Sequence, residues 1–363
     1  MKLSLFYELT TEDPDVPGAE QQRFEEAIEQ CKLADEVGFT GVWAVEHHFL
    51  PGYSSMSCPE LFLAAVARET KDLRLGHAIM HLPFNINHPL RAGERVATLD
   101  ILSNGRVEFG GGRATSHEEL AGFSVDPAET QEQWAEALEM LPHIWTDDVF
   151  EWHSDLIDIP PRRITPKPVQ KPHPPMWVAS TQPSSIQFAG EHGLGVLGFG
   201  ICDERSGDFV KMHREALKTA KSPTGVINDR FAVLRTALCM PTDDEAIDIQ
   251  ESNYRLFIAQ VTGLFSPWLE DAPPSYEYII ENHKRQLEMG RTYTMKEMVE
   301  QGQACIGSPE TCVRVLNGLA DAGVDEVLLF MQGATTPHQK ILDSIRLFAT
   351  EVMPKVREAA VVS

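Results

Sequence analysis

The run GVWAVEHHF, from Gly41 to Phe49, decides how this chain is read. Apolar residues from Gly41 to Val45 lead straight into Glu46-His47-His48, and Phe49-Leu50-Pro51-Gly52 follow. A buried strand stays apolar until it emerges from the core, so polar groups at its end lie at a mouth. In a barrel of parallel strands, the C-terminal strand ends form the active-site face. Two imidazoles and a carboxylate there suit acid–base work near neutral pH. The plainer alternative is a histidine-rich loop that merely caps a barrel.

Working outward, Leu3 to Glu8 reads as a first strand and Glu20 to Val37 as a helix closed by Gly38. Further strands are expected at Leu73–His81, Val107–Gly110, Met176–Ala179, Leu194–Phe199, Phe231–Met240 and Val324–Phe330. Helical spacing recurs at Glu60–Glu69, Pro89–Leu102, Thr130–Trp145, Phe209–Ala220, Pro309–Ala322 and Gln339–Met353. Strands and helices in alternation imply a parallel sheet, and eight such units close a barrel. The expected fold is therefore α/β, a single (β/α)8 TIM barrel over residues 1–363. It carries insertions after helix 4 (149–175) and after strand 7 (262–300). The first insertion is rich in proline and basic residues and reads as a surface hairpin or Ω-like excursion. The second, Thr262 to Thr294, is read as an excursion over the mouth, and the segment after Arg113 as a polar loop to Pro127.

The chain has 363 residues, within the range of one barrel with insertions, and 42% are hydrophobic. Its 31 basic and 54 acidic residues give a net charge of −23, which argues against nucleic acid or an anionic membrane as partner. No signal peptide is expected in MKLSLFYELT, where Glu8, Glu12 and Asp13 soon break the apolar run. Cys31, Cys58, Cys202, Cys239, Cys305 and Cys312 form no CxxC pair, as expected of reduced thiols in a cytoplasmic protein.

With these pieces placed, the chain resembles the bacterial luciferase-like flavin monooxygenases. VWAVEHHF (Val42 to Phe49) is similar to that family's second-strand signature. Leu73 to Arg113, ending VEFGGGR, is similar to its third and fourth strands, and Gly307 to Phe330 and Ile345 to Pro354 to its closing segment. The resemblance implies FMN used as FMNH2, delivered by a separate flavin reductase, with O2 forming a flavin C4a-hydroperoxide that oxygenates a small-molecule substrate. It also implies a homodimer.

Under the same resemblance His47 is the catalytic base beside the flavin, with His48 in reserve. Arg113 contacts the flavin phosphate, where its fork of donors suits a dianion. Gly111 and Gly112, after Gly110, let the backbone approach closely. Luciferase proper has a reactive cysteine where Gly112 stands, so light emission on an aldehyde is not implied. Ser180, Thr181 and Ser184 match further phosphate-binding positions, although a plain helix cap also explains Ser180 or Thr181. Ala78 and Ile79 fall where the family often has a non-proline cis peptide under the isoalloxazine. No metal is expected: His77 and His81 share a strand face, but no third ligand sits at known spacing.

Rival readings are an F420-dependent hydride-transfer dehydrogenase of the same fold and a non-catalytic flavin-binding relative. A metal-dependent barrel hydrolase is disfavoured because the first strand ends Phe6-Tyr7-Glu8-Leu9, without His-x-His. Phe265, Trp268, Tyr276 and Tyr278 suggest an apolar or aromatic substrate beneath a lid.

Overall fold

Eight parallel strands alternate with helices and close on themselves. They are β1 (Lys2–Tyr7), β2 (Gly41–Ala44), β3 (Arg74–His77), β4 (Val107–Gly112), β5 (Met176–Ser180), β6 (Gly195–Gly198), β7 (Phe231–Cys239) and β8 (Glu326–Phe330). Each pairs with its neighbours in chain order, and β8 returns to β1 with Val327 opposite Leu3. The computed structural model describes residues 1–180, 182–199, 203–269, 272–278, 280–281, 284, 288 and 294–360.

The outer layer is built from α1 (Ala19–Val37), α2 (Pro59–Glu69), α3 (Pro89–Leu102), α4 (Thr130–Thr146), α5 (Pro183–Glu191), α6 (Asp203–Leu217), α7 (Asp243–Phe265) and α8 (His338–Leu347), with Pro309–Asp321 added before β8. Proline opens α2, α3 and α5, where its missing N–H costs no helical bond. Gly38, at φ 92°, ends α1 and returns its N–H to the Ala34 and Asp35 carbonyls. No described helix is long and apolar enough to cross a membrane.

Side chains fill the barrel. Trp43 of β2 and Trp177 of β5 meet edge to face with centroids 5.3 Å apart. A Cβ at Gly76 would overlap the Trp43 ring, and one at Gly195 would crowd Trp177, so these glycines make room for the indoles. Both indole N–H groups are satisfied low in the barrel, Trp43 Nε1 donating to Glu326 at 2.9 Å and Trp177 Nε1 to Glu108 at 2.7 Å. Glu108 is buried and also accepts from Arg74 and Arg230, so this floor is a closed ion network.

Local structure departs from expectation at four places. β2 stops at Ala44, so Glu46, His47 and His48 lie in the loop beyond it, free of the alternation of a strand. The third strand breaks at a cis Ala78–Ile79 peptide, after which Met80–His81 pairs with β4. The segment after Arg113 contains a short helix, His117–Gly122, capped by the Ser116 hydroxyl. The insertion after β7 does not begin as a loop at 262: α7 runs to Phe265 and single turns follow at Ser266–Leu269 and Pro274–Tyr276. The insertion after α4 is a hairpin, Phe150–His153 against Asp158–Arg162.

Candidate active site

His47 sits between two carboxylates. Its Nδ1 is 3.0 Å from Oε1 of Glu119, and its Nε2 is 3.6 Å from Oε2 of Glu8, at the end of β1. The loop that carries it is fixed by His47 N–H donating to the Met56 carbonyl at 3.0 Å, and the Tyr53 ring stands edge-on at 5.4 Å. Glu119 comes from the short capped helix and is anchored there. Ser116 Oγ donates to its Oε2 at 2.6 Å, and the His48 backbone N–H donates to Oε1 at 2.9 Å.

This setting dictates charge. Burial works against the imidazolium of His47, but the carboxylates of Glu119 and Glu8 outweigh it and raise the group to about 9. Burial lifts Glu8 to about 7, with His47 opposing and the Glu119 charge adding to the rise. Glu119 is also buried, yet the charges of His47 and His81 and the bonds from His47 and Ser116 hold it far below the usual carboxylate range. The mouth therefore keeps one imidazolium, one firm carboxylate and one carboxyl that titrates near neutrality.

A second pair lies alongside. His48 Nε2 is 3.0 Å from Glu46 Oε1, and Glu46 also accepts from the His81 backbone N–H at 2.9 Å and Asn87 Nδ2 at 2.8 Å. Burial opposes its charge, but the His48 bond and the other donors hold Glu46 below its ordinary value. Arg95 in turn donates to Asn87 Oδ1. Donor atoms of Glu46, His48 and His81, and of His47, His81 and Glu119, lie within 4.8 Å of one another. The carboxylates in both sets already have hydrogen-bond partners. His81 is buried and its burial lowers its pKa, while His77 lies in the core against Phe109.

Arg113 directly follows β4. Its guanidinium lies over the Tyr276 ring at 4.8 Å and the Tyr278 ring at 5.6 Å, and Nη2 donates to Tyr278 Oη at 3.2 Å. It borders a cleft of about 570 Å³ together with Gln131, Gln182, Ser184, Ser185 and Tyr278. Ser184 and Ser185 occupy the first turn of α5, so helix N–H groups and hydroxyls converge with the arginine. Glu277 and Glu281 also line this cleft. That donor set fits the phosphate of a flavin mononucleotide.

The other expected contacts are distributed unevenly. Ser180 is buried, and its hydroxyl donates to the Gln182 carbonyl at 3.1 Å and accepts from the Gln182 N–H, shaping the turn into α5. Thr181 lies outside the described residues. A Cβ at Gly112 would overlap the end of Ile79, so Gly112 makes space for that side chain. Gly111 faces the helix layer: a Cβ there would meet Leu82 and Leu138, and its carbonyl accepts from Trp134 Nε1 at 3.3 Å.

Of the aromatics expected to face a substrate, Trp268 and Tyr276 are buried and stacked on each other at 4.9 Å. Trp268 Nε1 donates to the Thr115 carbonyl and Tyr276 Oη to the Ala114 carbonyl. They brace the backbone beside Arg113 and present no free face to a substrate. The side chain of Phe265 lies outside the described residues.

Sequence reasoning missed Glu8, Tyr53 and Glu119. Glu8 ends a strand in a polar group, the same signal that singled out Glu46-His47-His48. Ser116-x-x-Glu119 has capping-box spacing, which marks a helix start within the supposed loop.

The model of a family described as luciferase-like monooxygenase matches residues 2–326. The oxygenase component of a flavin-dependent trigonelline monooxygenase from Acinetobacter baylyi is 31% identical over 199 residues, 54% of this chain and 53% of that one. An F420-dependent glucose-6-phosphate dehydrogenase from Amycolatopsis mediterranei is 29% identical over 210 residues, 56% of this chain and 60% of that one. This chain thus spans little more than half the length of either relative. The oxygenating constituent of 3,6-diketocamphane monooxygenase from Pseudomonas putida, solved in complex with FMN, superposes with a TM-score of 0.79 at 20% identity over 99% of both chains. That likeness is one of fold.

Proposed function

This chain belongs to the luciferase-like monooxygenase family, and from that premise we propose that it is the oxygenase component of a two-component system. In this reading it takes FMNH2 from a separate flavin reductase and uses O2 to oxygenate a small apolar or aromatic molecule. The observation that carries the reading is Arg113, held over two tyrosine rings at a cleft that the first turn of α5 also borders. Bound reduced FMN would supply the electrons and the activation of O2.

The chain's own residues do the rest. Arg113, Ser184 and Ser185 hold the phosphate, and the turn at Ser180 leads into the helix that carries the two serines. Ala78 and Ile79, the Ile79 side chain seated in the room that Gly112 leaves, form an apolar bed for the ring system. His47 holds and moves a proton at Nε2, and His48 keeps Glu46 in place. Tyr53 and Phe257, half-buried and stacked with centroids 6.1 Å apart beside His47, support the substrate class. Unpaired Cys31, Cys58, Cys239, Cys305 and Cys312 support a cytoplasmic location, and family kinship supports a homodimer.

The similarity to an F420-dependent dehydrogenase favours a second reading, hydride transfer without O2. Titrating the apoprotein separately with FMN, FMNH2 and reduced F420, then mixing each complex with O2, separates the two. Tight FMNH2 binding that slows its oxidation relative to free FMNH2 is expected. Binding of F420 with no effect on FMNH2 oxidation would replace the first reading by the second.

A further inference from the structure

The two carboxylates that flank His47 are not equivalent. Glu119 is saturated: it takes the Ser116 hydroxyl, the His48 N–H and His47 Nδ1. Glu8 is buried, and its Oε2, the atom facing His47 Nε2 at 3.6 Å, has no hydrogen-bond partner among the described residues. A carboxylate bound on both oxygens is an anchor, because rotating it would break several charge-assisted bonds at once. A buried carboxylate oxygen without a donor is costly as an anion and is relieved by taking up a proton.

We propose that Glu119 and Glu8 are positioning residues with divided tasks: Glu119 fixes the His47 ring through Nδ1, and Glu8 exchanges a proton with Nε2. The assignment rests on the reading of His47 as the working imidazole. In the exchange the Nε2–H bond breaks and an O–H bond forms on Glu8 Oε2. An imidazolium and a carboxylate become a neutral imidazole and a carboxylic acid. The pair's net charge is zero before and after, so burial does not oppose the transfer as it would oppose losing a proton to solvent. His47 can thereby present an unprotonated Nε2 in a pocket whose charges favour the imidazolium.

The groups that face the pair from the packed elements are Glu119 and His81 on one side, Glu46 and His48 beyond them, and Tyr53. The Tyr53 ring stands against His47, and its hydroxyl favours the Glu8 carboxylate while Oε2 stays without a donor among the described residues. His81 Nδ1 lies 3.9 Å from Glu119 Oε1. Because Glu8 and His47 interact strongly, they titrate as a pair, and the His47 signal carries two steps.

The test is NMR titration of histidine-labelled apoprotein, with the His47 resonances identified by their loss in His47→Gln. Glu119→Gln should lower the main His47 midpoint by about one to three pH units, the usual effect of one opposite charge at this range, and release the ring's fixed tautomer. Glu8→Gln should keep the tautomer but collapse the two-step curve to one. Ser116→Ala, which removes only the anchor, should shift the midpoint in the same direction as Glu119→Gln, by less, and serves if that variant fails to fold. Superimposable His47 curves in wild type, Glu8→Gln and Ser116→Ala would overturn the division of tasks. FMN affinity, measured on the same samples by fluorescence, should not change in Glu8→Gln. Lack of FMN binding by wild type would sink the flavin reading while the titration still judged the clamp.

Discussion

Replacing Arg113 with alanine tests the anion end of the proposed flavin site most directly. The guanidinium is already oriented by two tyrosine rings and by Tyr278 Oη, so a phosphate meets it without first paying for side-chain order. A hydrogen bond to a charged group is worth about 1.5–3 kcal/mol net, and at about 2–3 kcal/mol the loss corresponds to about 30- to 160-fold in Kd. Riboflavin, which lacks the phosphate, is the control. Fluorescence titration should show FMN binding tighter than riboflavin in wild type, with the two affinities converging in Arg113→Ala. Arg113→Lys should fall between, since it keeps the charge but loses the fork. Equal losses for FMN and riboflavin would mean that the arginine acts only by bracing Tyr276. An unchanged FMN affinity would refute the assignment of the cleft to phosphate.

Three further outcomes follow from named contacts. His47 is raised from its ordinary 6.5 to about 9, so its stabilising contribution is complete below 6.5 and is lost as pH rises through 9. Urea unfolding at pH 6.5 and 9.5 should show a loss of at most about 3 kcal/mol that is absent in His47→Gln, and equal losses in both proteins would contradict the clamp. Glu108→Ala strips a buried carboxylate from Arg74, Arg230 and the Trp177 indole; it should cost about 3–5 kcal/mol, read as a lower thermal midpoint without a selective change in FMN affinity. Gly112→Ala forces Ile79 aside and should destabilise by about 1–3 kcal/mol, with FMN and riboflavin affinities falling together because the ring bed moves while the phosphate site does not.

The barrel was legible because its signals are local. Apolar strands, helices opened by proline and the αL glycine at Gly38 each read from a few adjacent residues. The same holds for the polar end of β2, which brought His47 and His48 into view. What makes His47 unusual was not legible, since Glu119 lies 72 residues away and meets it only because β2, β3 and β4 stand side by side. Glu8 is brought to the other side of the ring by the pairing of β1 with β2. Trp268 and Tyr276 show the opposite failure. Their aromatic character was plain, but whether a ring faces a ligand or braces a neighbour depends on the carbonyls of Ala114 and Thr115, which no sequence pattern placed beneath them.

The ion network at the floor has a bearing on the opposite end of the molecule. Arg74 opens β3, Glu108 lies in β4, Trp177 lies in β5 and Arg230 precedes β7, so their bonds pin the relative sliding of these strands. Four residues of extended chain, about 13 Å, separate Glu108 from Gly112. The floor thus works as a jig: the alignment of Arg113 with the loop beyond β2 is inherited from clamps set well below it. A slip of one residue would turn every side chain of a strand to the other face. Tolerance at the mouth is set where no ligand reaches, which leaves the loops above free to vary without loosening the spacing between them.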